Sequence, residues 1–271
     1  MKKKRWYILG GGLLLAAAVL IGAVLWVQAH PQETAETRVQ AAIEEHEAQR
    51  GAAQPSSAPE PGASLDPEAT QAPYESPVDF SSLWEMNSEI YAWLYIPGTE
   101  VNYPILQREG DDKFYLTHNS QGRYSDGGAI FTEATYNSRD FSDPVTLVYG
   151  HYMRSGTMFG SLQATYTAEN GLAEHREIIV YLPEEELHYQ VFAAVPFNMR
   201  HVLYYNDFRN RKVYEAFLEQ VRSVRSINAS IDEEAEVNAG DQLLILSTCL
   251  RGDSKQRYLV LAKRMADIAA P

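Results

Sequence analysis

Cys249 is the only cysteine among the 271 residues, and a thiol is the most nucleophilic side chain available near neutral pH. It follows the apolar run Leu243-Leu244-Ile245-Leu246-Ser247-Thr248, which puts it at the C-terminal end of a buried strand. A lone cysteine there also reads as a small core residue, so its neighbourhood has to decide. The next segment, Leu250 to Gln256, is a polar loop, and Arg257 opens another apolar run. Antiparallel pairing of the two runs would return Arg257 to the side of Cys249. A guanidinium beside a thiol favours the thiolate and offers N–H donors to a developing oxyanion. One cysteine also excludes a disulfide framework and a cysteine-based zinc cluster.

Acyl transfer through a thiol needs a proton-transfer partner, and the chain has seven histidines. His30 and His46 lie near the N-terminus, in a polar segment. His175, His188 and His201 sit beside charged residues and read as solvated surface, and His118 lies in a turn-like Thr-His-Asn-Ser segment. His151 differs: it comes off the strand Val145-Thr146-Leu147-Val148-Tyr149 through Gly150, as a rigid scaffold delivers a functional side chain onto a loop. A structural histidine would fit that position equally well.

Short β-type runs dominate the elements that must position these groups: Ala92–Ile96, Val101–Leu106, Ala129–Thr132, Val145–Tyr149, Ile178–Leu182, Leu187–Val195, Gln242–Ser247 and Arg257–Ala262. Pro183-Glu184-Glu185-Glu186 marks a hairpin turn between the fifth and sixth. Phe80, Leu83, Trp84, Asn87, Ile90 and Tyr91 have helical spacing, and Val213, Phe217, Val221 and Val224 put one apolar face on a helix over 212–224. The pattern predicts a mainly β domain over 78–266, a closed barrel with helical insertions. Periodicity alone does not separate a barrel from a sandwich.

Ahead of that domain the composition changes twice. Residues 6–27 carry no charge, enough for a helix to cross about 30 Å of hydrocarbon, with Trp6, Tyr7 and Trp26 at its ends. The basic tail 1–5 puts the N-terminus in the cytoplasm and the remainder outside; the rival reading is a cleaved signal peptide, whose apolar core is usually shorter. Residues 28–77 read as a flexible stalk rich in Pro, Glu and Ala, in which 34–50 could form a polar helix with no apolar face to bury. A net charge of −13 argues against nucleic acid as a partner.

Three separated stretches resemble the motifs of the sortases, class B in particular. Thr146-Leu147-Val148-Tyr149-Gly150-His151-Tyr152-Met153 is similar to the histidine motif, and Leu246-Ser247-Thr248-Cys249 with Arg257 to the cysteine and arginine motifs. The lead-in Trp93 to Gly98, then Asn102 to Gln107, and the insert between about Met199 and Asn238 resemble class B as well. The resemblance implies an eight-stranded sortase-type closed β-barrel behind a single N-terminal transmembrane helix. It implies a cysteine transpeptidase of the plasma membrane, facing outward on a Gram-positive-type bacterium and needing no cofactor or metal. Cys249 would be the nucleophile, His151 the general acid/base and Arg257 the oxyanion and orientation group; Leu116, Ser247, Thr248 and Tyr204 would meet substrate.

The partners it implies are an exported protein with a C-terminal sorting signal and an amine of a lipid II-type peptidoglycan precursor. Pilin polymerisation on a lysine is the alternative acceptor chemistry, and a non-catalytic tethered binding domain the alternative class. The sequence has Asp111-Asp112 where relatives often have Asp-Asn, so no substrate contact is carried to Asp112. The acidic run Asp232–Glu236 reads as a solvated loop rather than a calcium site.

Overall fold

The computed structural model describes residues 34–53 and 74–266. The apolar run 6–27 lies outside them, and among the described residues no helix is long and apolar enough to cross a membrane. The chain divides between Arg38 and Val39. Of the first unit the described part is Thr34–Arg38, where the Thr34 hydroxyl caps the start of a helix by accepting the Thr37 N–H at 3.2 Å.

Among the described residues nine strands form one sheet: β1 (Ile90–Tyr95), β2 (Asn102–Leu106), β3 (Ile130–Phe131), β4 (Val145–Tyr149), β5 (Glu177–Tyr181), β6 (Glu186–Asn198), β7 (Ser230–Ile231), β8 (Leu243–Leu250) and β9 (Asp253–Arg264). Their order is β5-β1-β2-β3-β4-β8-β9-β6-β7, and β5 also pairs with β6, so eight strands close into a barrel with β7 added outside. Closure leaves those eight without an open edge. β2–β3 and β4–β8 are parallel, the other pairs antiparallel. The eight barrel strands fall where the apolar runs predicted them, with ends shifted by a few residues, and β7 lies on none of those runs.

All eight barrel strands contribute to one buried cluster, among them Leu94, Ile105, Ile130, Val148, Val180, Tyr189, Leu246 and Val260. Only the inside of a closed barrel is shared by every strand, so this cluster fills the interior. Alternate residues of β4, β8, β9 and β6 face outward, where Leu147, Ile245, Leu261 and Val195 meet Tyr214, Phe217, Leu218 and Val221. Those four belong to a helix over Arg211–Arg222, capped by the Asn210 side chain. The outer layer leaves part of β4, β8 and β9 uncovered at one end, and the chemistry sits there.

Two expectations need correcting. The helical spacing from Phe80 to Tyr91 yields a helix only over Phe80–Met86. Asn87 turns extended (φ −160°) and donates its side-chain amide to the Tyr115 hydroxyl and the Ser120 carbonyl, while Ile90 begins β1 opposite Leu106. β-Branched and aromatic side chains gain more in the sheet than one more helical turn would give. The segment read as a polar helix with nothing to bury is a helix, α1 (Ala35–Ala53), and it does bury a face. From Val39 onward it lies on the barrel, with Val39 and Ile43, one turn apart, 2% and 0% exposed. The Gln40 amide donates to the Asn102 carbonyl at 2.8 Å, and the Tyr181 hydroxyl donates to Glu47 at 2.6 Å. Two apolar residues larger than alanine in nineteen are too few for periodicity to register, yet enough to dock a helix.

Candidate active site

β8 and β9 form a hairpin in which Cys249 stands directly opposite Arg257. The loop between them is tighter than the sequence suggested, because β9 begins at Asp253 and only Arg251-Gly252 turn the corner, Gly252 with φ +83°. A guanidinium N–H, on Nη1, reaches the Cys249 sulfur at 3.6 Å, and the same nitrogen donates to the Ser254 carbonyl at 3.2 Å. Nε and Nη2 of Arg257 donate to no group among the described residues, which leaves them for a ligand.

β4 runs parallel to β8 with Tyr149 beside Ser247, and the Gly150 N–H donates to the Ser247 carbonyl at 3.1 Å. His151 and Cys249 each lie two residues beyond that pair, so the pairing brings them to the same level of adjacent strands. Gly150 is required for this passage: a Cβ there would lie 2.5 Å from Ile130 and 2.6 Å from Phe159.

The His151 ring is oriented from a third element. Its Nε2 lies 2.7 Å from the Leu116 carbonyl oxygen. A carbonyl can only accept, so Nε2 carries the hydrogen, and in the neutral ring Nδ1 is the nitrogen that takes up a proton. Leu116 ends a 3-10 turn over Phe114–Leu116 that is held from several sides. The buried Tyr115 hydroxyl donates to Glu89, its carbonyl accepts from the Ala129 N–H at 3.0 Å, and Arg108 stacks 3.4 Å above the Phe114 ring while pairing with Glu89. Gly128, at φ +56°, lies so close that a Cβ would come within 2.4 Å of the Tyr115 oxygen and 2.9 Å of the Leu116 oxygen.

These groups face one cavity of about 260 Å³, whose walls include Leu116, His151, Cys249, Arg257, Tyr149 and His201. Of the expected substrate contacts, Leu116 is 38% exposed at its edge and Ser247 lines it on the same strand face as Cys249. Thr248 belongs to the wall, but its buried hydroxyl has no hydrogen bond among the described residues, and neither has that of its cross-strand neighbour Tyr258. Tyr204 is 67% exposed on a short helix over Val202–Tyr205 and is not among the lining residues.

Two histidines read as solvated surface are not. His188 is half-enclosed between Glu177 (2.7 Å) and Glu186 (2.9 Å). His201 caps its helix by accepting the Tyr204 N–H on Nδ1 at 3.1 Å, and its Nε2 meets Glu133 and Tyr149 in the cavity wall. Burial, then the charge of Glu133, holds the Tyr149 phenol far above its ordinary range, so it stays protonated. Glu133 and Tyr149 as wall residues were missed altogether; the only signal in the sequence was Tyr149's place two residues before His151. In the acidic loop, Asp232 is engaged by Arg176, and no group of metal-ligating side chains occurs among the described residues.

A thiol, an imidazole and a guanidinium in one groove on the outside of a closed barrel are the equipment of a cysteine enzyme that transfers acyl groups. Residues 94–265 match the model of the sortase domain. Sortase B of Listeria monocytogenes is 27% identical over 180 residues, covering 66% of this chain and 69% of that protein. Crystalline sortase B from Bacillus anthracis in complex with AAEK1 superposes with a TM-score of 0.61 at 29% identity, over 72% of this chain and 90% of that one. A Streptococcus pyogenes class B sortase involved in pilus biogenesis gives 0.58 at 25% identity, over 69% and 98%. The chain belongs to the sortase family of cysteine transpeptidases, and its relatives are of class B.

Proposed function

We propose that this sortase is held in the plasma membrane of a Gram-positive-type bacterium by residues 6–27, with its barrel on the outer face. There it cuts the C-terminal sorting signal of an exported protein and joins the protein to an amine of a lipid II-type peptidoglycan precursor. The observation that carries the catalytic part is the facing pair Cys249–Arg257 with His151 on the neighbouring parallel strand.

The Cys249 sulfur, as thiolate, attacks the carbonyl carbon of the scissile bond, and Nε and Nη2 of Arg257 are free to receive the oxygen as it becomes negative. The C–N bond breaks as His151, protonated on Nδ1, gives that proton to the leaving amine, leaving a thioacyl-enzyme. The incoming amine then loses a proton to His151 and attacks the thioester carbonyl. The new amide forms, the C–S bond breaks, and the thiolate and protonated imidazole are restored. Leu116 holds Nε2 throughout, so the same nitrogen serves both half-reactions.

Cys249→Ala should abolish cleavage of a sorting-signal peptide, to below about a thousandth of wild type, with an unchanged circular dichroism spectrum. Turnover above that level would remove Cys249 as nucleophile. The similarity to a class B sortase involved in pilus biogenesis supports a second reading for this chain, in which a lysine side chain is the acceptor. Mass spectrometry of products formed with a peptidoglycan stem peptide and a lysine peptide in competition separates the two acceptors.

A further inference from the structure

The Leu116 carbonyl that holds His151 is only as fixed as the turn that carries it, and one carboxylate anchors both residues ahead of it. Glu89 comes just before β1, and its own backbone is tied down at both ends. Its N–H donates to the Asn87 side-chain oxygen at 3.0 Å, and its carbonyl accepts from the Gln107 N–H, just past β2, at 3.1 Å. The side chain reaches in two directions. Its Oε2 accepts from the Tyr115 hydroxyl, and both oxygens accept from Nε of Arg108, at 2.9 and 3.0 Å. The guanidinium held in this way covers the Phe114 ring, on which the His118 ring also stacks, with centroids 3.9 Å apart.

Glu89 therefore governs Phe114 and Tyr115, the first two residues of the 3-10 turn whose third is Leu116. Glu89, Arg108 and Tyr115 line none of the cavity, which leaves them no direct part in the chemistry. Burial pushes the Tyr115 phenol up to about 12, and the bond to Glu89 adds to that, so the hydroxyl stays protonated and donates. Burial acts upward on Glu89 as well, but the hydrogen bonds from Arg108 and Tyr115 outweigh it and hold the carboxyl below its ordinary value. The anchor is thus an ionised acceptor with both of its donors in place.

We propose that Glu89 is a positioning residue for His151: it fixes the Leu116 carbonyl through the Phe114–Leu116 turn, and that carbonyl fixes the tautomer and orientation of the ring. The proposal rests on the transpeptidase reading and adds to it a residue that the proton transfers need and never touch. An imidazole turns about two side-chain bonds, and nothing in the ring itself keeps the hydrogen on Nε2. The 2.7 Å contact with Leu116 does so, and a carbonyl displaced by about 1 Å no longer makes it. A misplacement of that size costs up to about 10²-fold in rate.

The test uses the full chain in detergent micelles, carrying nitrogen-labelled histidine, and an internally quenched sorting-signal peptide with threonine at the cleaved bond. Two readouts are taken on each protein: kcat, and the tautomer of neutral His151 from long-range proton–nitrogen correlations, assigned by their loss in His151→Asn. The wild type should show the Nε2–H form alone. Glu89→Ala removes the support of both Tyr115 and Arg108, and should lower kcat about 10- to 100-fold with a mixture of the two tautomers. Glu89→Gln keeps an oxygen for the Tyr115 hydroxyl, and should retain the Nε2–H form and lose less than about fivefold in kcat. Tyr115→Phe removes one hydroxyl from a buried ring and should show both changes, with kcat down about 3- to 10-fold. It decides the question if Glu89→Ala fails to fold by circular dichroism.

A folded Glu89→Ala or Tyr115→Phe protein with wild-type kcat overturns the proposal. A slow variant in which His151 keeps the Nε2–H form alone overturns it too, because the loss then arises elsewhere, as does Glu89→Gln no better than Glu89→Ala. Two tautomers already present in the wild type have the same effect. A wild type that cleaves no peptide removes the transpeptidase reading instead, and the tautomer comparison still decides whether Glu89 fixes the ring.

Discussion

Arg257 touches the Cys249 sulfur through one guanidinium nitrogen and keeps two more free, and that division of labour needs arginine's planar fork. Lysine at this position would keep the charge but present a single point of donation. Arg257→Lys should therefore lower the acylation rate about 10²- to 10³-fold, roughly 2.7–4 kcal/mol, the cost of losing one oxyanion donor. Iodoacetamide should still alkylate Cys249 at a similar rate. Burst-phase kinetics and alkylation on the same variant separate the two roles, and near-wild-type turnover would show that charge alone suffices.

The β5–β6 hairpin carries a charge cluster none of whose members lines the catalytic cavity. His188 on β6 donates from both ring nitrogens, to Glu177 on β5 and to Glu186 beside it, and Arg50 of α1 reaches the same two carboxylates. The hydrogen bonds to Glu177 and Glu186 raise its pKa to about 9, and His188 in turn holds both carboxyls below their usual range. The unfolded chain would bind this proton only below about 6.5, so the stabilisation is complete below that pH and is lost as pH rises through about 9. It is worth on the order of 2–3 kcal/mol for a group this enclosed. Urea unfolding should show the wild type losing about that much more stability than His188→Gln between pH 6.5 and 9.5. Parallel pH profiles for the two proteins would remove the coupling.

At the scale of the whole molecule, α1 from Val39 onward packs on the barrel and lines none of the cavity. Val39 and Ile43 are fully enclosed, and burying two aliphatic side chains is worth about 3–5 kcal/mol before the ordering of the helix is subtracted. A protein beginning at residue 78 should fold and cleave peptide with unchanged kcat, yet unfold at lower urea than one beginning at Thr34, by about 2 kcal/mol. Equal midpoints would mean that the helix gains no more from docking than it loses in entropy.

The positions of the eight barrel strands, the mainly β class and the candidacy of Cys249, His151 and Arg257 were all legible in the sequence. Each rests on short-range information: an apolar run, a glycine, or a polar loop short enough that its flanking strands must pair. Even the Cys249–Arg257 contact was legible, because eight residues with a turn between two apolar runs leave few registers. What pairs across long separations was not. Glu133 and His201 lie 68 residues apart, Leu116 and His151 lie 35 apart, and Arg50 and Glu186 lie 136 apart. Nothing local pairs them: Glu133, His201, Arg50 and Glu186 are ordinary polar residues in polar stretches, and Leu116 is an apolar residue in a short turn. Closure of the barrel, which sets β3 against β4 and β4 against β8, and the docking of α1 beside β6 turn them toward one another. Tertiary structure also decided the fate of Ile90, Tyr91, Val39 and Ile43, whose local spacing pointed elsewhere. The energy of a buried side chain depends on what covers it, and that is a property of the fold rather than of the segment.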